Sequence, residues 1–208
     1  MPRLIVISSE RDLANESTLL EQLLAAGLPT LHLRKPAASQ ASLQALLDRL
    51  DPMFYPRLVL HQHPSLVEKY ALGGMHLSET SRQKLSRKEL RDLRVRLKAQ
   101  RQSLSTSVHT PETLATTADD FDYVLYSPVF PSISKPGYAP RRAMRVQGMQ
   151  ITPDIIGLGG VCAENLSQLW TLGYQGAAFL GYVWKDPPRA VHHLKKIQSL
   201  WPDTALTY

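Results

Sequence analysis

Cysteine is almost absent from this chain. One residue, Cys162, in 208 excludes an internal disulfide framework and any cysteine-rich zinc site. Long apolar runs are missing too, since none approaches the roughly 18 residues of a membrane span. The N-terminal stretch MPRLIVISSERD is too short in apolar residues for a signal peptide. These absences lead us to expect a cytoplasmic protein without a membrane partner. No aromatic residue lies between Arg82 and Arg101, where much of the net charge of +6 is concentrated. That basic segment therefore lacks the stacking platforms of a single-strand nucleic-acid binder. Leu85, Leu90, Leu93 and Leu97 give it a core-facing stripe, so its charges are expected on a solvated helix face and no nucleic-acid partner is expected. Low-complexity tracts, solenoid repeats and linkers are also lacking, which suits a single domain over residues 1–208.

What the chain does have is a regular alternation of short β-rich runs and helical patterns. Strands are expected at 3–8, 30–34, 57–61, 74–77, 103–108, 122–127, 154–160 and 176–181. Helical patterns such as STLLEQLLAAG, PSLVEKYAL and PRAVHHLKKIQSLW lie between them. Pro64, Pro111 and Pro188 suit a first helical turn, where a missing N–H costs nothing. Gly27, Gly73 and Gly173 stand where a helix C-terminus takes a left-handed residue. The segment after Tyr138, APRRAMRVQGMQITP, predicts only a short sixth helix. Eight such units favour an α/β fold of one compact (β/α)8 TIM barrel over an open doubly wound sheet. Function then belongs at the C-terminal ends of the strands.

Polar residues stand at those ends. In LHLRKP, His32 and Arg34 share the face opposite Leu31 and Leu33. His61 closes the third strand, His76 lies in the fourth, and Ser107 and His109 close the fifth. One such histidine alone would be a core imidazole satisfied by a neighbour, whereas four at one barrel mouth favour a polar pocket. His61-Gln62-His63 has metal-ligand spacing, but His63 opens the next helix and no inward carboxylate accompanies it, so no metal is expected.

The segment SPVFPSISKPGY follows the sixth strand. Ser132, Ser134 and Lys135 offer two hydroxyls and a cation in a turn stiffened by proline, a combination that suits a phosphate. Gly159-Gly160 after the seventh strand and Gly181 after the eighth let bare backbone N–H groups approach the same anion, as barrels of this kind often do. A helix beginning near Ala163 would add its positive end. The alternative is that these glycines merely turn the chain. Trp170, Trp184 and Trp201 fit either packing or a subunit interface, which leaves a homodimer open.

In order and spacing, SVHTPETL, DYVLYSPVFPSISKPGY, IIGLGGVCAENL and GAAFLGYVW resemble the thiamin phosphate synthase/TenI family, and LHLRKP and GGMHL match two earlier landmarks. The resemblance covers about residues 3–185 and implies a (β/α)8 barrel. It implies that a thiazole phosphate lies between Ser132, Ser134, Gly160, Gly181 and Tyr182. It implies that Lys135 meets the diphosphate of the pyrimidine partner, with Mg2+ as cofactor in a synthase, and it matches Arg34 and Ser107 to the family's strand-two arginine and strand-five serine. Departures are specific. His61-Gln62 replaces the synthase Asn-Asp, Ser78-Glu79-Thr80 replaces Gly-Gln and an acid, His32 replaces a glutamine, and Pro36 replaces a lysine. The phosphate half of the pattern is kept and the Mg2+ half is not. This resembles TenI-type members, which include a metal-free thiazole tautomerase, although Pro128 stands where that enzyme has its histidine. We therefore expect a heterocyclic phosphate as ligand, no cofactor, and proton transfer by His61 or His109, with His32 and His76 as lesser choices. A divergent synthase using Arg34, Lys135 and Glu79, and a non-catalytic phosphate-ligand sensor, are the alternatives.

Overall fold

The structure, a computed structural model, describes residues 3–131 and 143–201. Eight parallel strands close into a barrel in chain order. They are β1 (Arg3–Ile7), β2 (Thr30–Leu33), β3 (Leu58–Leu60), β4 (Gly74–Leu77), β5 (Ser103–Val108), β6 (Tyr123–Tyr126), β7 (Asp154–Gly157) and β8 (Gly176–Phe179). The helices among the described residues are α1 (Glu16–Ala25), α2 (Gln40–Leu47), α3 (Pro64–Lys69), α4 (Glu79–Gln83), α5 (Arg87–Ala99), α6 (Pro111–Thr117), α7 (Leu166–Thr171), α8 (Gly181–Trp184) and α9 (Ala190–Ser199). Closure is direct, with Leu4 of β1 paired to Ala177 of β8. The expected (β/α)8 barrel is the observed fold.

Alternation along the strands builds two separate interiors. Outward residues such as Leu4, Val6, Leu31 and Leu33 pack on helix leucines, including Leu20, Leu23 and Leu24 of α1, in one continuous shell. Inward residues Ile5, Ile7, Tyr123, Leu125, Ile156 and Ala178 form a second cluster in the lumen. They come from β1, β6, β7 and β8. The other half of the lumen, along β2 to β5, holds His32, His76 and Ser105, all buried. The barrel is thus apolar on one side of its axis and polar on the other.

Several strands are shorter than the sequence pattern predicts. β7 stops at Gly157, not Gly160, because Gly159 and Gly160 turn to φ of 86° and 67° and leave the sheet. Gly27 and Gly173 are left-handed as expected, but Gly73 is not; Ala71 takes that conformation after α3, with φ of 48°. Gly73 is needed for space, since a Cβ there would lie 2.2 Å from the Pro56 carbonyl oxygen. The short sixth helix is not found among residues 143–153, and the rest of its span lies outside the described residues. The tryptophans are packed within the chain. Trp170 and Trp201 meet edge to face at 5.1 Å, and the Trp184 indole donates to the Ile7 carbonyl at 2.6 Å.

The basic helix α5 buries Leu93 and Leu97 and partly covers Leu90, as its periodicity predicts, while Leu85 packs on the core from the bend before it. Ser86 caps it in a reciprocal capping box with Glu89. Removing the cap in Ser86→Ala is expected to lower stability by about 1 kcal/mol, read from a urea unfolding curve. Arg82, counted with the solvated charges, belongs elsewhere. Its side chain is only 10% exposed and lies beneath the barrel mouth, bonded to Thr106 Oγ1 and the Ser107 carbonyl, both at 3.2 Å.

Candidate functional site

A cavity of about 500 Å³ opens at the C-terminal ends of the strands. It gathers Arg34, His61, His76, Ser107, His109, Gly159, Gly160 and Gly181, and Ser78-Glu79-Thr80 beside them. His32 lies one layer deeper, fully buried. The Tyr182 side chain is not part of the lining. It is buried behind α8, with its ring 5.4 Å from that of His193 and the Lys185 ammonium over its face. Ser132, Ser134 and Lys135 lie outside the described residues. Their segment nevertheless begins at the site. Val129 N–H donates to the Leu158 carbonyl at 2.9 Å and Phe130 N–H to the Gly159 carbonyl at 3.0 Å, which joins the loop after β6 to the loop after β7. A Cβ on Gly160 would stand 2.2 Å from the Pro131 carbonyl oxygen, so only glycine admits this approach. The helix expected near Ala163 begins instead as a 3-10 turn, Ala163–Asn165, ahead of the six-residue α7.

Three imidazoles meet under the cavity floor. His32 Nδ1 lies 3.0 Å from His61 Nε2, and His32 Nε2 lies 2.7 Å from the Tyr123 hydroxyl. The His61 and His76 rings are 4.3 Å apart, inclined at 33°. His76 is held on both sides, by Ser105 Oγ at Nδ1 and Ser107 Oγ at Nε2, each at 2.8 Å. Burial lowers the His32 pKa to about 3. Burial also holds His61 and His76 well below 6.5, reinforced for His61 by His76, His32 and Arg34, and for His76 by His32 and Arg34. All three are neutral at physiological pH. Burial raises the Tyr123 phenol to about 12, so its proton stays in place.

At the rim, His109 Nδ1 lies 2.7 Å from the Ser127 carbonyl. A carbonyl only accepts, so Nδ1 carries the proton and neutral His109 keeps its lone pair on Nε2. That atom stands 3.9 Å from Glu79 Oε2. Glu79 is steadied by Arg82 at 3.4 Å, and Arg34 by an ion pair with Glu10.

The donor set does not fit Mg2+, which takes carboxylate and water oxygens. His61 and Gln62 stand at the end of β3, and the Gln62 amide turns aside to the Lys35 and Ala38 carbonyls. The carboxylates lining the cavity, Glu10 and Glu79, are each engaged by an arginine. Among the described residues, one group has the spacing of a metal site: His32, His61 and His76, with nitrogens within 4.8 Å of one another. Five of its six ring nitrogens already hydrogen-bond to one another or to hydroxyls, which makes it a hydrogen-bonded cluster. His63 takes no part and faces the Ala38 carbonyl.

Tyr123, Ser105 and Arg82 did not emerge from sequence reasoning. Ser103, Ser105 and Ser107 share one face by period two, a signal visible in SLSTS. Tyr123 carried no such signal, since an inward aromatic in a strand resembles any core residue.

Comparison with solved structures places the fold. The chain is similar to a thiamine phosphate pyrophosphorylase from Bacteroides thetaiotaomicron, at 22% identity over 100% of both chains with a TM-score of 0.71. It is similar to one from Pyrococcus furiosus, at 15% identity over 95% of this chain and 94% of that one, with a TM-score of 0.74. A 3-hexulose-6-phosphate synthase shares the architecture at 13% identity over 97% of this chain and 100% of that one, with a TM-score of 0.66. No curated protein sequence matches the chain. The sequence pattern of the family described as thiamine monophosphate synthase matches residues 4–183, and the chain belongs to that family.

Proposed function

We propose that the barrel mouth binds a thiazole phosphate, or a closely similar heterocyclic phosphate, and moves a proton on it without a metal. One observation carries this reading. The cavity joins neutral His61 to a glycine rim, Gly159, Gly160 and Gly181, while among the described residues no oxygen ligand set for Mg2+ accompanies them. The rim N–H groups, together with the Ser132, Ser134 and Lys135 side chains expected from the sequence, would hold the phosphate, each charge-assisted bond contributing roughly 1.5–3 kcal/mol. Arg34 and Ser107 would orient the ring. His61 would accept the proton through Nδ1, which has no partner among the described residues. His109 Nε2, which carries the lone pair, would accept a hydrogen bond from the ligand at the rim.

The test is isomerisation of a thiazole phosphate carboxylate, followed by NMR. His61→Ala is expected to slow turnover by about 100-fold or more and His109→Ala by about 10-fold. Unchanged turnover in both variants would overturn the acid–base assignment. The synthase reading is favoured by family membership and by Arg34 at the mouth. EDTA-sensitive formation of thiamin phosphate from the two synthase substrates would establish it in place of ours. Binding without either reaction would make the protein a sensor.

A further inference from the structure

We propose that His61, His32, Tyr123, Ser105, His76 and Ser107 form one proton wire whose two ends open on the same cavity. Two hydrogen-bonded halves make it up, His61–His32–Tyr123 and Ser105–His76–Ser107. His61 Nε2 meets His32 Nδ1 at 3.0 Å, and His32 Nε2 meets the Tyr123 hydroxyl at 2.7 Å. Tyr123 stands opposite Ser105 in the β5–β6 register, and a hydroxyl-to-hydroxyl contact between them is the one link the proposal supplies. Ser105 and Ser107 then flank His76 at 2.8 Å each. The chain runs from β3 across β2, β6, β5 and β4, and returns to β5. His61 and Ser107 both line the cavity.

Every member both donates and accepts, so the chain has two polarities and neither carries net charge. In the first, His61, His32 and His76 are all protonated on Nε2, and Ser107 offers its O–H to the cavity. A proton leaving a ligand atom binds His61 Nδ1. Each Nε2 or hydroxyl proton passes one link along, and the Ser107 proton goes to a second ligand atom. The three histidines end protonated on Nδ1, no ion has formed, and one proton has moved between two sites of one ligand. The reverse shift through cavity water, which gives a proton to Ser107 and takes one from His61, restores the first polarity. The arrangement suits this place because a charged imidazole is disfavoured there by burial. Base and acid are the two ends of one neutral chain. The purpose of the wire rests on the proposed reaction, but its existence does not.

The test is 15N NMR of the side chains in the ligand-free protein at pH 7.5. The wire requires one common tautomer: all three histidines protonated on Nε2, all on Nδ1, or all averaged together. In Tyr123→Phe, His32 loses the partner of its Nε2 and is expected to settle as the Nδ1–H form, while His76 no longer follows it. In Ser107→Ala, which removes only a rim hydroxyl, the His32 signals are still expected to shift, through the intervening links. A mixed set of tautomers in the wild-type protein, or His32 signals unmoved in both variants, would overturn the proposal whatever the protein catalyses. With the thiazole phosphate carboxylate, Tyr123→Phe is expected to retain ligand affinity within about twofold while turnover falls about 100-fold. Common tautomers without any wild-type turnover would uphold the wire and defeat the proposed reaction.

Discussion

Lowering the pH from 7 to 5 is expected to destabilise this protein strongly. His32 has a folded pKa of about 3, and His61 and His76 are held well below the ordinary 6.5, in each case chiefly by burial. The folded state keeps all three neutral, whereas the unfolded chain protonates them near 6.5. Below that pH the unfolded state binds more protons, so stability falls as the solution is acidified. The neutral fold therefore has its full stability above about pH 6.5 and loses it on the way toward the folded pKa values. Each group costs about 1.4 kcal/mol per pH unit, so three cost roughly 4 kcal/mol per unit. Across one and a half units that is about 6 kcal/mol, comparable with the lower end of an ordinary domain's stability of about 5–15 kcal/mol. Carboxylates do not confuse this window. Glu164, lowered to about 2 mainly by its bond from Lys196, begins to titrate only below 4.5. Glu16 is raised by burial, so it acts in the opposite sense, but it is a single group. Urea unfolding followed by tryptophan fluorescence at pH 7.5, 6.0 and 5.0 measures the slope. His76→Gln, which removes one of the three titrating groups, should flatten it by about a third. Equal stability at pH 7.5 and 5.0 would show that the imidazoles are not enclosed as described.

Much of the barrel was visible in the sequence because it rests on local periodicities. The alternation in LHLR set His32 and Arg34 on the inner face, and the structure has His32 in the lumen and Arg34 at its mouth. The pairing between strands was not visible. His76 is opposite Ser105 because β4 and β5 pair in one register, and a chain read one residue at a time does not contain that register. Tyr123 was hidden for the same reason, since its hydroxyl acquires meaning only when β6 brings it to His32. Arg82 was misassigned because its neighbours in sequence are solvated, while α4 turns its own side chain under the barrel rim. Gly73 was assigned a left-handed role that belongs to Ala71, because crowding by Pro56 is a tertiary fact. The functional site combines both kinds of information: residue types legible along the strands, and a hydrogen-bond order set by closure of the barrel.

Gly160→Ala is expected to damage both fold and site, and the comparison with Gly148→Ala separates the two effects. Both glycines are left-handed, at φ of 67° and 84°, so alanine at either is disfavoured by about 1–2 kcal/mol. Around Gly148 nothing lies within 4 Å. At Gly160 the new methyl would stand 2.2 Å from the Pro131 carbonyl oxygen and 2.7 Å from the Phe130 carbonyl carbon. These are backbone atoms held by the Phe130-to-Gly159 hydrogen bond, so the loop after β6 must move as a unit. Overpacking of this kind costs about 1–3 kcal/mol further. Because that hydrogen bond ties the loop to Gly159, the rim N–H groups at Gly159 and Gly160 are expected to lose their common alignment. Loss of one or two charge-assisted hydrogen bonds, each worth roughly 1.5–3 kcal/mol, would weaken phosphate-ester binding by about 10- to 100-fold or more. Calorimetric titration with a thiazole phosphate and urea unfolding on both variants give the two readings. Gly148→Ala should lose only the smaller stability increment and bind normally. Full-strength phosphate binding by a folded Gly160→Ala protein would separate the anion from this corner of the barrel and leave the rim glycines with only a chain-turning role.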